Sequence, residues 1–181
     1  MIPNLLWLDL SLIAIDRVEL GAGGGLVGYI SMTSRECFLQ IVANLVVPSL
    51  AVASKFQLDK PVFITDQIPM LPLMERNVSL NSLEGRVKPL VYDWGGPTPE
   101  SIPQHPDIVI AAECVYFEPA FPLLQQTLKD LLGPNTVCYL CFKKRRRADM
   151  NFVKIAKKMF HVEDVQDDPD KPIWSRENLF L

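Results

Sequence analysis

The chain has 181 residues, of which 49% are hydrophobic and 22% are charged. These are the values of a globular protein, and the length suits one domain with a hydrophobic core better than two. The formal net charge of −3 gives no overall electrostatic signature of a nucleic-acid binder, so we expect no nucleic-acid partner.

The cysteines, histidines and apolar segments indicate a cytoplasmic protein. Four cysteines without the spacing of a disulfide framework suggest a reducing compartment, and two histidines are too few for most metal sites. Residues 1–15 are apolar but lack a basic start and include Asp9, so we expect no secretory signal. The apolar segment 38–53 is short for a membrane span and contains Asn44 and Pro48, so we expect no membrane anchor.

Apolar segments that end in an acidic or turn residue alternate with segments of helical periodicity. The strand-like segments are Leu12–Leu20, Pro61–Asp66, Pro89–Trp94, Asp107–Glu113 and Val137–Phe142. The helix-like segments are Ile68–Leu80, where Pro69 and Pro72 confine the helix to the later part, Ala120–Leu132 and Ala148–Phe160. Continuously apolar strands that alternate with helices predict an α/β domain whose mostly parallel sheet has helices on both faces.

Two segments deviate from this alternation. The C-terminal segments His161–Val165 and Ile173–Leu181 read as two strands joined by a polar loop, and we expect them to form an antiparallel pair that closes the sheet. Segment Tyr29–Ser49 mixes polar residues with a β-branched run. It has no helical stripe, although it follows a glycine-rich turn after which a helix is expected.

The strongest local motif follows the first predicted strand. In Val18-Glu-Leu-Gly-Ala-Gly-Gly-Gly-Leu-Val-Gly28, the glycines let the chain turn tightly and let a ligand approach backbone N–H groups. Glu19 precedes this turn, and the next predicted strand ends in Asp66, whose carboxylate suits the two hydroxyls of a ribose. The simpler alternatives are a turn that binds nothing and a helix cap at Asp66. We prefer a nucleotide cofactor.

A nicotinamide dinucleotide is the competing cofactor. Gly23, Gly25 and Gly28 match the G-x-G-x-x-G spacing of dinucleotide sites, but the match fails when the count begins at Gly21, where the strand ends. Asp66 also lies well beyond the usual interval of about 20 residues between such a turn and its acid. The turn alone leaves both cofactors open.

Later motifs decide between them. The segments are Val18–Gly28, Ile64–Gln67 with Leu73–Asn77, Tyr92–Gly95 and Asp107–Tyr116. In this order they resemble the family-16 protein-lysine methyltransferases of the seven-β-strand class. The continuation Phe117–Leu124, with Lys143–Asp149, is most similar to the fungal enzymes that methylate translation elongation factor 1-alpha. The resemblance implies a Rossmann-like seven-strand sheet, S-adenosylmethionine as the methyl donor, and a lysine of that elongation factor as the acceptor.

The resemblance also implies a role for each matching position. The cofactor-binding positions are Glu19, Gly21, Ala22, Gly23, Gly25, Asp66, Asp93, Trp94 and Ala112. Asp66 would hold the ribose hydroxyls, and Asp93 and Trp94 would flank the adenine. The catalytic positions are Glu113 and Tyr116, which would face the incoming lysine; the family usually has Asp in place of Glu113. The simpler alternatives are a core tryptophan at Trp94 and an acidic helix cap at Glu113.

The chain departs from the family in two places. Only residues 1–17 precede the glycine strand, where family members have a longer segment that contains a tryptophan. The interval from Gly25 to Asp66 is longer than one turn, one helix and one strand require. Removing Tyr29–Ser49 joins the glycine turn to an amphipathic segment. We therefore expect a single methyltransferase domain over residues 1–181, with an atypical insertion at about 29–49.

Two further clusters have simpler interpretations. Lys143–Arg147 is five consecutive basic residues. We prefer a solvated strand end, then a substrate-docking edge, and last a nuclear-import or nucleic-acid patch. Cys138 and Cys141 form a C-x-x-C inside a predicted strand, where residues three apart point to opposite faces. We expect core residues there rather than a zinc or redox pair.

The resemblance implies a protein-lysine methyltransferase with a protein substrate, and we expect a monomer. One alternative is a methyltransferase for a small molecule or a nucleic acid, which is disfavoured because Glu113-x-x-Tyr116 stands where base-specific enzymes have an Asn-Pro-Pro type of motif. The other alternative is a non-catalytic interaction protein that keeps the fold. The interrupted helix after the glycine turn keeps this second alternative open.

Overall fold

A computed structural model describes residues 2–3, 38–42, 50, 52–54, 57–112, 114–164, 176 and 179–180. The strands are β1 Ile2–Pro3, β2 Phe38–Val42, β3 Val62–Asp66, β4 Val87–Val91, β5 Ile108–Ala112, β6 Val137–Lys143, β7 Val162–Glu163 and β8 Leu179–Phe180. The α-helices are α1 Leu71–Leu80, α2 Phe121–Leu131 and α3 Arg147–Met159, and residues 50 and 52–54 are also helical.

Six of the described strands form one sheet in the order β4-β3-β2-β5-β6-β8. The neighbours from β4 to β6 are all parallel, and β8 pairs antiparallel with β6. Strands β1 and β7 form a separate two-stranded parallel sheet. The parallel sheet and the helices between its strands confirm the predicted α/β class.

The middle of the sheet is covered on both faces. All five side chains of β5 are buried, as are the first four of β3. Val109 and Ala111 belong to the hydrophobic cluster that includes the buried side chains of α2 and α3. Ile108 and Ile110 point to the opposite face and are also buried. Burial on both faces explains why these strands are continuously apolar rather than alternating.

Helices α2 and α3 pack through apolar stripes at helical spacing. The buried residues of α2 are Phe121, Leu124, Thr127, Leu128 and Leu131. In α3, Phe152 and Ala156 are buried, and the Phe152 ring meets that of Phe121 edge to face, with centroids 5.2 Å apart. None of the helices within the described ranges is long and apolar enough to cross a bilayer.

The strand after α1 lies earlier in the chain than predicted. The apolar pattern predicts Pro89–Trp94, whereas β4 covers Val87–Val91. Its pairing with β3 ends where Val91 lies opposite Asp66. Residues 92–94 therefore extend beyond the sheet into a turn.

The central position of the sheet, between β3 and β5, is held by β2. Phe38–Val42 combines aromatic, aliphatic and β-branched residues, which suit a strand with buried neighbours. Leu39 is 0% exposed. This strand lies inside Tyr29–Ser49, so the sheet uses five residues of the segment that we expect to be an insertion. The predicted strand Leu12–Leu20 lies outside the described residues, and the insertion stays a prediction.

The two C-terminal segments are paired with other strands. Strand β7 pairs in parallel with β1, and β8 pairs antiparallel with β6, with Phe180 opposite Phe142. The predicted antiparallel pair of His161–Val165 with Ile173–Leu181 is therefore not confirmed within the part of the chain that the structure describes. The partner of a strand depends on which sheet edge is open, and a local apolar pattern does not contain that information.

The order of the strands creates a switch point beside β2. From β2 the chain moves outward to β3 and β4, returns to the other side of β2 to form β5, and then moves outward to β6. Ligands of open parallel sheets bind beyond the carboxyl ends of the strands at such a point. Because β2 to β6 are parallel, with Val42 beside Ala112, their carboxyl ends share one edge. We call it the carboxyl edge.

Candidate functional site

Five predicted site residues lie in the described part of the chain, at or just beyond the carboxyl edge. They are Asp66, Asp93, Trp94, Ala112 and Tyr116. Glu113 and the residues of the glycine motif lie outside the described ranges; the latter are Glu19, Gly21, Ala22, Gly23 and Gly25. The structure thus places the tips of β3, β4 and β5 together, and the roles of all eleven residues stay predictions.

Asp66 is the last residue of β3, and hydrogen bonds hold it on two sides. Its Oδ1 accepts a hydrogen bond from the backbone N–H of Gln67 at 2.7 Å. Its carbonyl accepts one from the backbone N–H of Tyr92 at 3.0 Å, which ties the tip of β3 to that of β4. The side chain is half-buried. A carboxylate accepts several hydrogen bonds at once, so this residue suits a ligand that carries a diol.

The turn after β4 is fixed by a glycine and by helix α2. The carbonyl of Asp93 accepts a hydrogen bond from the N–H of Gly96 at 3.0 Å, and Gly95 has a φ of +77°. The N–H of Gly95 donates to Oγ1 of Thr127 at 2.9 Å. A Cβ atom on Gly95 would lie 2.8 Å from Cδ2 of Leu123, so the turn and the helix touch closely. Glycine is required here by both φ and space.

This turn presents one exposed acid and one half-buried indole. Asp93 is exposed, whereas Trp94 packs against the hydrophobic cluster of the sheet and α2. Tyr92, which precedes them in the chain, is 3% exposed, and its hydroxyl lies 3.0 Å from Oγ1 of Thr98. The indole is therefore held by packing on one side and stands at the carboxyl edge. That position suits stacking with a planar ring.

The loop after β5 passes from the core to the surface within two residues. Cys114 and Val115 are 1% and 0% exposed, whereas Tyr116 and Phe117 are 42% and 54% exposed. The Cys114 thiol donates a hydrogen bond to the carbonyl of Ala112. The core thus anchors the beginning of the loop, and the Tyr116 side chain stands at the carboxyl edge.

The basic segment holds this loop through a contact that the sequence analysis missed. Nη2 of Arg146 donates a hydrogen bond to the backbone carbonyl of Tyr116. The same nitrogen donates to Oδ1 of Asp149 at 3.1 Å. Because 30 residues separate Arg146 from Tyr116, no local pattern predicts the first bond.

Asp149 is 0% exposed although its side chain is a carboxylate. Its Oδ2 accepts hydrogen bonds from the backbone N–H groups of Arg145 at 2.9 Å and Arg146 at 2.8 Å. The carboxylate therefore caps the first turn of α3 and also orients the Arg146 guanidinium. The signal in the sequence is an acid in the first turn of a predicted helix that directly follows a strand. Lys144, Arg145 and Arg147 are exposed, as the solvated interpretation predicts.

The cysteines of the C-x-x-C are core residues of β6. Cys138 and Cys141 are 0% and 1% exposed. Burial raises the pKa of the Cys138 thiol from 9.0 to about 12, because the thiolate loses its hydration there. Within the described ranges, no group of three His, Cys, Asp or Glu side chains is placed to hold a metal ion. The predicted core role of both residues is confirmed.

The strand order and the switch point at the carboxyl edge are those of a Rossmann-like α/β fold. The crystal structure of a putative methyltransferase from Pseudomonas syringae has the same fold, with a TM-score of 0.56. The match covers 82% of this chain and 86% of that chain at 9% identity, so it shows the fold alone. Residues 11–159 match the lysine methyltransferase family, and the chain belongs to that family.

The chain is similar to proteins whose names describe lysine methyltransferases. Protein-lysine N-methyltransferase EFM6 of Saccharomyces cerevisiae is 34% identical over 161 residues, which are 83% of this chain and 58% of the relative. EEF1A lysine methyltransferase 3 of Mus musculus is 31% identical over 156 residues, 84% of this chain and 56% of the relative. The chain therefore spans less than two thirds of the length of these relatives.

Proposed function

We propose that the protein transfers the methyl group of S-adenosylmethionine to a lysine side chain of a protein, and that this substrate is a translation elongation factor. The observation that carries the proposal is the convergence of Asp66, Trp94 and Tyr116 at one carboxyl edge in a member of the lysine methyltransferase family. The names of both relatives support the lysine acceptor, and that of the mouse relative supports elongation factor 1-alpha.

The residues at the tips of β3 and β4 suit the nucleoside part of this cofactor. The Asp66 carboxylate would accept hydrogen bonds from the two ribose hydroxyls. Trp94 and Asp93 would flank the adenine, the first through the face of its indole. Ala112 leaves space because its side chain is a single methyl group. The glycine motif Gly21–Gly25 would provide backbone N–H groups for the remaining polar atoms.

The chemistry on the substrate side needs a neutral amine in line with the methyl group. The cofactor supplies a methyl bonded to a sulfonium sulfur, which becomes a neutral thioether after transfer. A free lysine has a pKa of about 10.4, so the amine must lose a proton before it attacks. Near a positive charge and in an apolar channel, that pKa is lower. Tyr116 and Glu113 would then align the amine, and alignment supplies most of the rate.

The first experiment separates an enzyme from a non-catalytic relative. Isothermal titration with S-adenosylmethionine should give measurable heat and a single site. The protein, methyl-labelled cofactor and a cell lysate are then incubated together, and the labelled species is identified. We expect the label in a protein band of the size of an elongation factor. Label in RNA or in a small molecule would contradict the lysine acceptor. The absence of heat in the titration would contradict the proposal that the protein is an enzyme.

A pair of aspartates tests the position of the cofactor. Asp66 lies at the carboxyl edge, whereas Asp107 precedes β5 at the opposite edge and forms an exposed ion pair with Lys60. Asp66→Asn should weaken S-adenosylmethionine binding by about 10-fold or more, because a hydrogen bond to a charged group contributes roughly 1.5–3 kcal/mol. Asp107→Asn should leave the dissociation constant unchanged. Equal effects of the two substitutions would place the cofactor elsewhere.

The organisation of the domain is part of the proposal. We propose that the complete protein has a seven-strand sheet with an antiparallel C-terminal pair, and that residues 29–49 are an insertion. An unspliced gene segment is one origin that such an insertion could have. Sequencing of the transcript tests this origin, because a message that contains these codons in every copy would contradict it. If the segment is removed, the run Leu12–Leu20 should take the place between β3 and β5, and a shortened chain should bind the cofactor more tightly.

The remaining proposals concern the state of the protein in the cell. We propose a cytoplasmic monomer without a membrane or nucleic-acid partner, because an elongation factor is available there as a substrate. Cell fractionation tests the location, and light scattering after size exclusion tests the oligomeric state. Recovery in a membrane fraction, or a dimer mass, would contradict these two proposals respectively.

A further inference from the structure

The Arg146 guanidinium joins the loop after β5 to the first turn of α3 at the carboxyl edge. One acceptor is the backbone carbonyl of Tyr116, and the other is the buried carboxylate of Asp149. In this ion pair, the Arg146 side chain is 46% exposed and the Asp149 side chain is 0% exposed. The aspartate is therefore the fixed end of the bridge, since backbone N–H groups and burial hold its position.

The Tyr116 end of the bridge has less support of its own. The loop is anchored by the core up to Val115, and the Tyr116 side chain that follows is 42% exposed. A hydrogen bond from a charged donor to a backbone carbonyl is stronger than one between neutral groups, and the planar guanidinium fixes its direction. The bond therefore sets where the Tyr116 backbone lies relative to the tip of β5.

We infer that Arg146, oriented by Asp149, is a positioning residue that holds Tyr116 in place to align the substrate lysine. This inference rests on the proposed function, because Tyr116 is the residue proposed to face the lysine. Arg146 itself acts only through the carbonyl of Tyr116. Removal of its guanidinium should disturb the alignment of the substrate and leave the cofactor site at Asp66 and Trp94 intact.

The first test does not depend on activity. The protein is labelled with 3-fluorotyrosine, which gives a fluorine resonance for each of its four tyrosines, and Tyr116→Phe assigns that of Tyr116. Arg146→Ala should shift and broaden this resonance and leave that of buried Tyr92 unchanged. Arg147→Ala is the matched control, since it removes an exposed charge from the adjacent position. An unchanged Tyr116 resonance in Arg146→Ala would overturn the inference.

The second test separates positioning from binding. Arg146→Ala should lower kcat for methyl transfer by about 10-fold, because a small misplacement of the reacting groups costs that much or more. The dissociation constant of S-adenosylmethionine should stay within about twofold of wild type. Arg146→Lys should recover part of the loss, about threefold, because an ammonium group can donate to the carbonyl but lacks the planar fork. Arg147→Ala should keep the wild-type kcat.

The two tests distinguish failure of this inference from failure of the proposed function. If the wild-type chain transfers no methyl group but the Tyr116 resonance still responds to Arg146→Ala, the proposed function fails and the bridge to Tyr116 stands. If wild type is active and Arg146→Ala keeps full kcat, the positioning role is wrong. A variant that loses cofactor binding in proportion to kcat would also overturn it, because the role would then be structural.

Discussion

The two loops that meet at the carboxyl edge are held in different ways. The turn after β4 is fixed by neutral contacts: a glycine at positive φ, a hydrogen bond from Gly95 to Thr127, and close packing on Leu123. The loop after β5 is fixed by charged groups, through Arg146 and the buried Asp149. The first arrangement depends on shape, and the second on charge and burial.

This difference matches the proposed tasks of the two loops. A cofactor is the same molecule in every cycle, so a turn with fixed backbone geometry suits it. A protein substrate brings its own charged surface, and the loop that would meet it lies beside exposed Lys144 and Arg145. Stability and activity should therefore respond separately at the two loops, and variants of the two loops test that separation.

The largest effect is expected at the charged loop. Asp149→Asn should lower the free energy of unfolding by about 2–3 kcal/mol, because a buried polar group is left without its partner. In either orientation the new amide nitrogen faces a donor: the N–H groups of Arg145 and Arg146, or the Arg146 guanidinium. Urea unfolding measures the change.

Asp130 is the control for this substitution. It is an exposed carboxylate on α2 that accepts a hydrogen bond from Gln126 at 2.7 Å. Asp130→Asn should change the free energy of unfolding by less than about 0.5 kcal/mol. If Asp149→Asn were equally mild, the charged network would not hold the loop after β5, and the comparison of the two loops would fail.

The next effect is expected at the neutral turn. Gly95→Ala should lower the free energy of unfolding by about 2 kcal/mol, partly from the positive φ and partly from crowding against Leu123. Gly85 has a similar φ of +80° with nothing within 4 Å of an added Cβ. Gly85→Ala should therefore cost only about 1 kcal/mol, the cost of the positive φ alone.

These two glycine variants also distinguish a loss of stability from a change in the cofactor site. Only Gly95→Ala displaces the turn that carries Trp94, so only this variant should weaken S-adenosylmethionine binding in isothermal titration. A loss of affinity in Gly85→Ala of the same size would mean that general destabilisation, and not the turn, controls the cofactor site.

The elements that the sequence predicted well are those whose burial is local and continuous. Strands β3, β5 and β6 begin and end within one residue of the predicted Pro61–Asp66, Asp107–Glu113 and Val137–Phe142, because strands buried on both faces are continuously apolar. Helix α1 begins at Leu71 with Pro72 in its first turn, which confirms the limit that the prolines set.

The elements that the sequence did not predict depend on distant partners. Nothing within Phe38–Val42 indicates a place between β3 and β5, and nothing in Leu179–Phe180 indicates β6 as its partner. The site shows the same limit. A position after an apolar run predicts a role for Asp66, and the family resemblance implies one for Trp94; both roles stay predictions. The contact of Arg146 with Tyr116, by contrast, joins two segments that share no local pattern.

A smaller effect, which involves neither loop, is expected at alkaline pH. The folded chain keeps the Cys138 proton up to a pKa of about 12, whereas the unfolded thiol releases it near 9.0. Above pH 9 the unfolded state therefore binds fewer protons, and the free energy of unfolding falls as the pH rises. At pH 10 the loss from this thiol should be about 1.4 kcal/mol.

Cys138→Ala should remove this contribution, so the variant should lose less stability than wild type between pH 8 and pH 10. The lysines and arginines of the basic segment are present in both proteins, so the difference between the two slopes belongs to the thiol. If the free energy of unfolding fell equally steeply with pH in both proteins, the loss at alkaline pH would come from the charged region instead.

The smallest effect is expected from a pair of threonines at opposite edges of the sheet. Oγ1 of Thr127 accepts the N–H of Gly95 at the carboxyl edge, and Oγ1 of Thr136 accepts the N–H of Gly133 before β6. Both threonines are buried, at 0% and 3% exposure. Thr127→Val and Thr136→Val should each cost about 1 kcal/mol of stability, because each leaves one backbone N–H without its acceptor.

The two valine variants should then differ in cofactor binding alone. Thr127→Val frees the turn that carries Trp94 and should weaken S-adenosylmethionine binding by about threefold to tenfold, whereas Thr136→Val acts at the far edge and should not change it. The two substitutions remove the same hydroxyl group from the same kind of hydrogen bond. A difference in cofactor affinity between the two variants would therefore come from where each threonine lies. Equal affinities in the two variants would show that the turn after β4 does not form part of the cofactor site.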